Sequence, residues 1–238
     1  MPRSGKAEEI ARTLARSLPR IWDGKACVLE LKAADYQWRQ LEWIGWWFEF
    51  KALQGLRSSM GGGVGPRLDS VKFDYSVDGE IWDFKAHPVG SGKSTGAAYL
   101  NDEQAVNECL ANEGHIGWQI AVGAATYDDE RGSFKAWHDA LKGKESVYVR
   151  EGKLSGRRSR RRKVSFQFQG IAWFEFRSGQ ELEMALKSGW LTRGMQVGQR
   201  NADGSPRRAK YGYSHGRWRE YVSGGTPALR CGWVEVGD

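Results

Sequence analysis

Two acidic residues and a lysine stand on a stretch whose geometry follows from its turn. VKFDYSVDGEIWDFKAHP (71–88) is two alternating runs on either side of Asp78-Gly79, a dipeptide suited to a two-residue β-hairpin loop. With that turn, facing residues have numbers that sum to 157. Val77 faces Glu80, Ser76 faces Ile81, Tyr75 faces Trp82, Asp74 faces Asp83, Phe73 faces Phe84 and Lys72 faces Lys85. Strand alternation puts Phe73, Tyr75, Trp82 and Phe84 on an apolar face bound for the core, and Lys72, Asp74, Asp83, Lys85 and His87 on the other. Two carboxylates opposite one another, with Cβ atoms roughly 4.5–5.5 Å apart, repel. Either one keeps a proton or a cation sits between them. Magnesium takes hard oxygen ligands and often only one or two carboxylates, so this pair suits it. Lys85, two residues from Asp83 on the same face, can orient an attacking water or steady charge building on a phosphate.

Asp74, a short gap, then Asp83-Phe84-Lys85 resembles the signature of the PD-(D/E)xK nuclease superfamily. The match runs residue by residue: Asp74 for the first acid, Asp83 for the second, Lys85 for the lysine. Phe73 stands where a proline is usually written. The resemblance implies that Asp74 and Asp83 bind magnesium, with the Phe84 carbonyl as a further ligand, and that Lys85 assists attack of water on a phosphodiester. It also implies a glutamate on the helix before the hairpin. Glu49 is preferred and Glu42 is held close behind, seven residues apart and so on similar faces of one helix. A glutamate in so apolar a segment needs a partner, because a buried unpaired carboxylate is costly. The resemblance covers roughly residues 35–127.

Several helices and strands have to hold these side chains in place. Residues 6–18 suit a short amphipathic helix, and 26–32 a strand or the lead into a helix. DYQWRQLEWIGWWFEFKALQGL reads as a largely buried helix capped by Asp35 and stopped at Gly55. A glycine-rich loop comes next at 58–66, then the hairpin, a loop at 88–96, a helix at 101–112 and an apolar strand at 116–125. TYDDERGS is a polar turn and FKAWHDALKG a short helix. Beyond it, VSFQFQ and IAWFEF read as two strands and GQELEMALKSGW as a helix, with short strands at best after Thr192. The expected fold class is mixed α/β: a restriction-endonuclease-like core with a central mixed sheet flanked by helices, and a basic β-rich recognition region. The division falls into a catalytic core at 1–143 and a recognition region at 144–238, packed together as one domain.

Other chemistries fit less well. Gly90-Ser91-Gly92-Lys93-Ser94-Thr95 looks like the end of a phosphate-binding loop, but position 87, where the pattern needs glycine, is His; the segment reads as a loop beside the active site. Four histidines (87, 115, 138, 215) are too few to assemble a histidine–metal nuclease easily, and His87 takes at most a minor role. There is no Gly-x-Ser-x-Gly elbow. Asp128-Asp129-Glu130 reads as a solvated turn, and Trp137-His138-Asp139 as an aromatic anchor with polar neighbours. Cys27, Cys109 and Cys231 lack the spacing of a zinc site or a disulfide framework, and a reducing cytoplasm is expected. No apolar run approaches the length of a membrane span.

The charge is divided. The chain carries a formal +7, with −3 over residues 1–143 and +10 over 144–238. Arg157, Arg158, Arg160, Arg161, Arg162 and Lys163 place six positive charges in seven residues, expected to order on DNA. Arg207, Arg208, Lys210, Arg217 and Arg219, interleaved with Tyr211, Tyr213 and Trp218, suit backbone contacts and arginine reading of guanine edges. A small nuclease core with a basic half and no ATPase motor resembles a type II restriction endonuclease. The expected partners are double-stranded DNA, a second copy of the chain in a homodimer matching the DNA two-fold, and, genetically rather than physically, a cognate DNA methyltransferase. The rival readings are a repair nicking enzyme or junction resolvase of the same fold, a basic nucleic-acid-binding protein that does not cut, and an ATPase.

Overall fold

The computed structural model describes residues 5–68, 71–89, 97–129, 131–143, 161–201, 203–224 and 228–237. Helix α1 (Lys6–Ser17) repeats small and apolar residues at helical spacing and buries Ala7, Ile10, Ala11, Leu14 and Ala15. A short strand β1 (Ile21–Asp23) leads into α2 (Gly24–Ala33), whose first turn is capped by the Asp23 carboxylate accepting from Ala26 N–H at 2.9 Å. Residues 26–32 are therefore helix and not strand.

The long helix expected from Asp35 is shorter at its start and longer at its end. Asp35 and Gln37 have φ of 48° and 44°, values a helix cannot hold, so the chain reverses here. Helix α3 (Trp43–Met60) begins eight residues later, runs through Gly55 and stops at Gly61, where φ is 74°. Glu42 thereby falls just outside the helix, while Glu49 sits within it.

The central sheet is mixed. Its strand order is β1-β8-β7-β5-β4, with β11 beside β8. Here β4 is Tyr75–Val77, β5 Glu80–Pro88, β7 Ile116–Tyr127, β8 Lys163–Phe176 and β11 Cys231–Glu235. The hairpin has the register worked out from its turn: Tyr75 faces Trp82, Ser76 faces Ile81 and Val77 faces Glu80. Asp78 and Gly79 both have positive φ, as a two-residue hairpin turn of the I′ type requires. β5 and β7 run parallel, β7 and β8 antiparallel. The two strands expected at 164–176 are one. Gly170 looked like a break but is a point of close approach, where a Cβ would lie 2.4 Å from the Val234 carbonyl oxygen of β11. Since β8 and β11 pair into the same sheet as β5, residues of the basic half help build the platform under the hairpin.

Helices α1, α2 and α3 cover one face of the sheet around Trp22, Trp47, Phe48, Tyr75, Trp82 and Phe84. The other face packs Trp118, Phe174, Trp190, Tyr213 and Trp218 against α4 (Glu103–Glu113), α6 (Gly179–Lys187) and α7 (His215–Ser223). With α5 (Ser133–Leu141), seven helices fall among the described residues. A three-stranded antiparallel sheet, β6 (Ala98–Asp102), β10 (Lys210–Tyr213) and β9 (Leu191–Met195), lies on this second side, and β2 (Arg67–Leu68) pairs with β3 (Val71–Lys72). Strand β6 and helix α7 were not foreseen. Neither has a clean period: β6 is only five residues, Ala98–Asp102, running straight into α4, and α7 is a polar, arginine-rich run with Gly216 in its first turn. No helix among the described residues is long and apolar enough to cross a membrane.

Candidate active site

Asp83 and Lys85 stand two residues apart on β5, on the side of the sheet facing β6. The ladder between β4 and β5 ends at Tyr75 and Trp82. Beyond it the Phe84 N–H, which would have continued the ladder, donates to Asp74 Oδ2 at 2.7 Å. A carboxylate thus replaces a main-chain carbonyl, and the strand edge opens at Asp74. The Phe73 N–H donates instead to Pro66 O at 3.0 Å, and its ring packs with Ile81 and Leu100 rather than with Tyr75, Trp82 and Phe84. The expected face of four aromatics therefore holds three, because the chain turns off the ladder one residue before Phe73 would have faced Phe84.

Glu49 projects from α3, which lies against β5 with the Phe48 and Phe84 rings 5.9 Å apart. It accepts a hydrogen bond from the Tyr36 hydroxyl. Lys85 Nζ bonds to Asp83 and lies 3.3 Å from the Phe84 carbonyl oxygen. Asp83 is 1% exposed, and its second oxygen, Oδ1, accepts from Asn101 Nδ2 at 2.8 Å. The Asn101 Oδ1 accepts in turn from the Trp118 indole N–H at 2.9 Å.

The electrostatics follow from three carboxyls sharing one corner. Burial, then the Asp83 charge, holds the Asp74 carboxyl well above the usual range against the pull of Lys85. Burial also raises Glu49, with Asp83 adding to it and the Tyr36 hydrogen bond and Lys85 opposing. Burial works against the Lys85 ammonium, but Asp83, Asp74 and Glu49 outweigh it and raise its pKa. Lys210, at the start of β10, belongs to the same surroundings. Burial and then the Lys85 charge lower its pKa, against the pull of Asp102 and Asp83.

The structure thus brings Asp74, Asp83, Lys85 and Glu49 into one electrostatic neighbourhood, with the Phe84 carbonyl beside Lys85. It places Glu42 elsewhere: that residue is exposed and paired with Lys163. Sequence reasoning missed Tyr36, Asn101 and Trp118. Asn101 was hidden because Asn101-Asp102 reads as the start of α4, and Asp102 does cap that helix through the Gln104 N–H at 3.1 Å.

The donors suit a hard divalent cation. Glu49, Asp74 and Asp83 share the single Lys85 ammonium, and a divalent cation would relieve the repulsion left between them. A second group, Glu80, His115 and Glu175, has ligand atoms within 4.8 Å of one another. Its histidine is already committed. Ile81 N–H donates to His115 Nδ1 at 3.0 Å, which puts the proton on Nε2, and Nε2 faces Glu175 Oε2 at 3.4 Å. Arg177 contacts both glutamates, and Arg230 donates to Glu175 Oε1 at 2.7 Å, so this cluster reads as a structural ion-pair network.

The basic residues divide. Arg157, Arg158 and Arg160, like the Gly90–Thr95 segment, lie outside the described residues. Arg161 Nε donates to Asp128 O at 2.8 Å, Arg162 is 8% exposed, and Lys163 bonds Glu42. These three are engaged with the protein rather than forming an open patch. Arg207 and Arg208 are exposed on the β9–β10 connection, Lys210 is half-buried at its base, and Arg217 and Arg219 are exposed on α7. Arg217 Nη1 donates to Gly189 O at 3.2 Å, and the Arg219 guanidinium lies 5.1 Å from the Trp233 ring centre. The aromatics between them, Tyr211, Tyr213 and Trp218, are core residues and not a binding surface. Asp128, expected in a solvated turn, is 2% exposed and accepts the N–H groups of Phe134 and Lys135, so it caps α5. His87 is 7% exposed and faces Tyr213 and His215. Cys27, Cys109 and Cys231 are buried and unpaired. Compared with known proteins, the chain matches no protein family, no curated protein and no solved structure.

Proposed function

We propose that this chain is a magnesium-dependent endonuclease that cuts double-stranded DNA in the manner of a type II restriction enzyme, on a restriction-endonuclease-like core. The observation that carries the reading is the gathering of Glu49, Asp74, Asp83 and Lys85 from a helix, a ladder break and a strand, with two carboxyl pKa values raised and a lysine among them. Buried carboxyls whose pKa values are perturbed by desolvation and a specific charge partner cluster at functional sites.

In this reading Asp74, Asp83 and the Phe84 carbonyl hold magnesium, with Glu49 adjoining. Bound magnesium would polarise the phosphoryl oxygens and neutralise charge developing on them. Lys85 orients the attacking water toward phosphorus and steadies the phosphate. The water oxygen forms a bond to phosphorus as the bond to the 3′ oxygen breaks, leaving a 5′-phosphate and a 3′-hydroxyl. Tyr36 holds Glu49 by its hydroxyl hydrogen bond. Lys210 adds positive charge beside the site, and Arg207 and Arg208 extend it along the β9–β10 connection, where they suit DNA phosphates. A homodimer on a palindromic site, a companion methyltransferase protecting host DNA, and a cytoplasmic location belong to the same proposal.

The test is incubation of a fully sequenced plasmid with magnesium, wild type against Asp83→Ala and against EDTA. Discrete fragments that vanish in the variant and in EDTA are expected. Intact duplex under every condition, with DNA binding retained, refutes the restriction reading. Cleavage confined to mismatches or four-way junctions would move the protein to the repair nucleases.

A further inference from the structure

Asn101 is 7% exposed and hydrogen-bonded at both ends of its amide, joining β6 to a carboxylate on β5 and an indole on β7. The orientation of that amide is decided by chemistry. The Trp118 indole N–H can only donate, so the atom 2.9 Å from it must be the Asn101 oxygen. The Asn101 nitrogen therefore faces Asp83, where it donates to Oδ1 at 2.8 Å. Trp118 itself is fully buried between Phe174 and Phe176, with ring centres at 5.3 and 5.9 Å, so the indole is fixed by packing. A rigid aromatic thus locks an amide, and the amide locks one oxygen of a buried carboxylate. The other oxygen, Oδ2, is the one turned toward Lys85.

We infer that Asn101, held by Trp118, is a positioning residue for the metal centre: it fixes Asp83 in a single orientation in which Oδ2, the oxygen that Lys85 bonds, is the one a cation would share with that lysine. The inference rests on the proposed metal-dependent function and adds residues from β6 and β7 that lie outside the hairpin motif. A donor restrained in this way keeps Asp83 an acceptor at Oδ1 and removes the rotational freedom that cation binding would otherwise have to freeze. Partners of this kind behind a metal ligand typically change affinity by roughly 10- to 100-fold when removed. The chain is also directional. Loss of the indole N–H leaves the amide oxygen without its donor and loosens the side chain that donates to Asp83, so Trp118→Phe should act through Asn101 and not beside it.

The experiment is calorimetric titration of magnesium into the full chain without DNA, for wild type, Asp83→Ala, Asn101→Ala, Trp118→Phe and the Asn101→Ala/Trp118→Phe pair, with melting curves to establish folding. Asn101→Ala is expected to weaken magnesium binding roughly 10-fold or more. Trp118→Phe should weaken it in the same direction, and the double variant should bind no more weakly than Asn101→Ala alone. In cleavage assays the magnesium needed for half-maximal rate should rise, while the rate at saturating magnesium largely returns. A merely structural role would lower the melting temperature without that split. If Asn101→Ala does not fold, Trp118→Phe decides alone. Wild-type affinity in Asn101→Ala and Trp118→Phe, with binding lost in Asp83→Ala, overturns this inference and leaves the nuclease reading standing. Absence of magnesium binding in the wild type overturns both.

Discussion

Lowering the pH from 7 to 5 should destabilise this protein through His87. The imidazole is enclosed at the end of β5 by Tyr213 and His215, with ring centres at 6.1 and 6.4 Å. Burial, with the Lys163 charge adding to it, lowers its pKa from the ordinary 6.5 to about 4. The folded protein therefore keeps His87 neutral in a range where the unfolded chain takes up a proton. The unfolded state binds more protons between these two values, so stability falls as pH drops below 6.5 and levels off below about 4. With each unit of pKa difference worth about 1.4 kcal/mol, the loss between pH 7 and pH 5 comes to about 2 kcal/mol from this residue. That corresponds to roughly 4–8 °C in melting temperature for a chain of this length. His215, lowered to about 4 by burial and then by His87, acts in the same direction. Asp74 and Glu49 act in the opposite direction, because their raised pKa values favour the folded state as acid is added. The assay must therefore be a difference: urea unfolding of wild type and His87→Phe at pH 7, 6 and 5, in EDTA. The phenylalanine keeps an aromatic ring there and cannot titrate. Wild type should lose about 2 kcal/mol more than His87→Phe over that interval. Parallel losses in the two proteins would refute this account of His87.

Asp74→Asn keeps an acceptor for the Phe84 N–H but removes a carboxyl whose charged form burial and Asp83 disfavour. It should abolish cleavage and, in EDTA at neutral pH, raise stability, an increase that shrinks as the pH falls; lower stability in a urea titration would count against the repulsive corner. Glu49→Gln should slow cleavage on the order of 100-fold, whereas Glu42→Gln, which breaks only the exposed pair with Lys163, should leave the rate unchanged, as plasmid cleavage kinetics would reveal. Paired Arg207→Ala and Arg208→Ala should flatten the salt dependence of DNA binding by roughly 2 in the logarithmic slope, read from binding isotherms at several salt concentrations. Trp218→Ala should cost about 3–5 kcal/mol in unfolding free energy, because that ring is fully buried on α7.

The hairpin was legible because three local constraints agree in it. The turn dipeptide accepts positive φ, the alternation has one apolar side, and the two-residue loop fixes the register, so the pairing of Tyr75 with Trp82 could be counted out residue by residue. Asp74 itself escaped that count, because the path of the chain beyond the ladder is decided by a bond from a distant segment, the Pro66 carbonyl taking the Phe73 N–H. The start of α3 was misplaced for a related reason. DYQWRQL has helical spacing, but Tyr36 N–H returns to Leu31 O at 2.8 Å and closes α2 instead. Burial of Tyr211, Tyr213 and Trp218 was hidden by the arginines and glycines between them, since charged neighbours on a short strand and a helix can stay outside while the rings turn in.

The two halves of the candidate site also differ in what they ask of the fold, which explains why only one could be seen in the sequence. Asp74, Asp83 and Lys85 are near neighbours on one hairpin, so their types and spacing are enough to suggest metal chemistry. Orientation is another matter. A carboxylate on a strand can rotate about its own bonds, and a cation site needs that rotation stopped. Here the stop comes from Asn101 on β6 and Trp118 on β7, elements on either side of α4 in the chain that meet Asp83 only in the folded protein. Neither residue belongs to the nuclease pattern, and an asparagine before a helix is ordinarily read as a cap. It is the burial of all three side chains in one hydrogen-bonded line that separates the two uses. A cap faces solvent and the first turn; this amide faces an indole and a carboxylate. The residue types in the hairpin suggest a chemistry, and the packing of β6 and β7 around Asp83 sets how firmly its carboxylate is held.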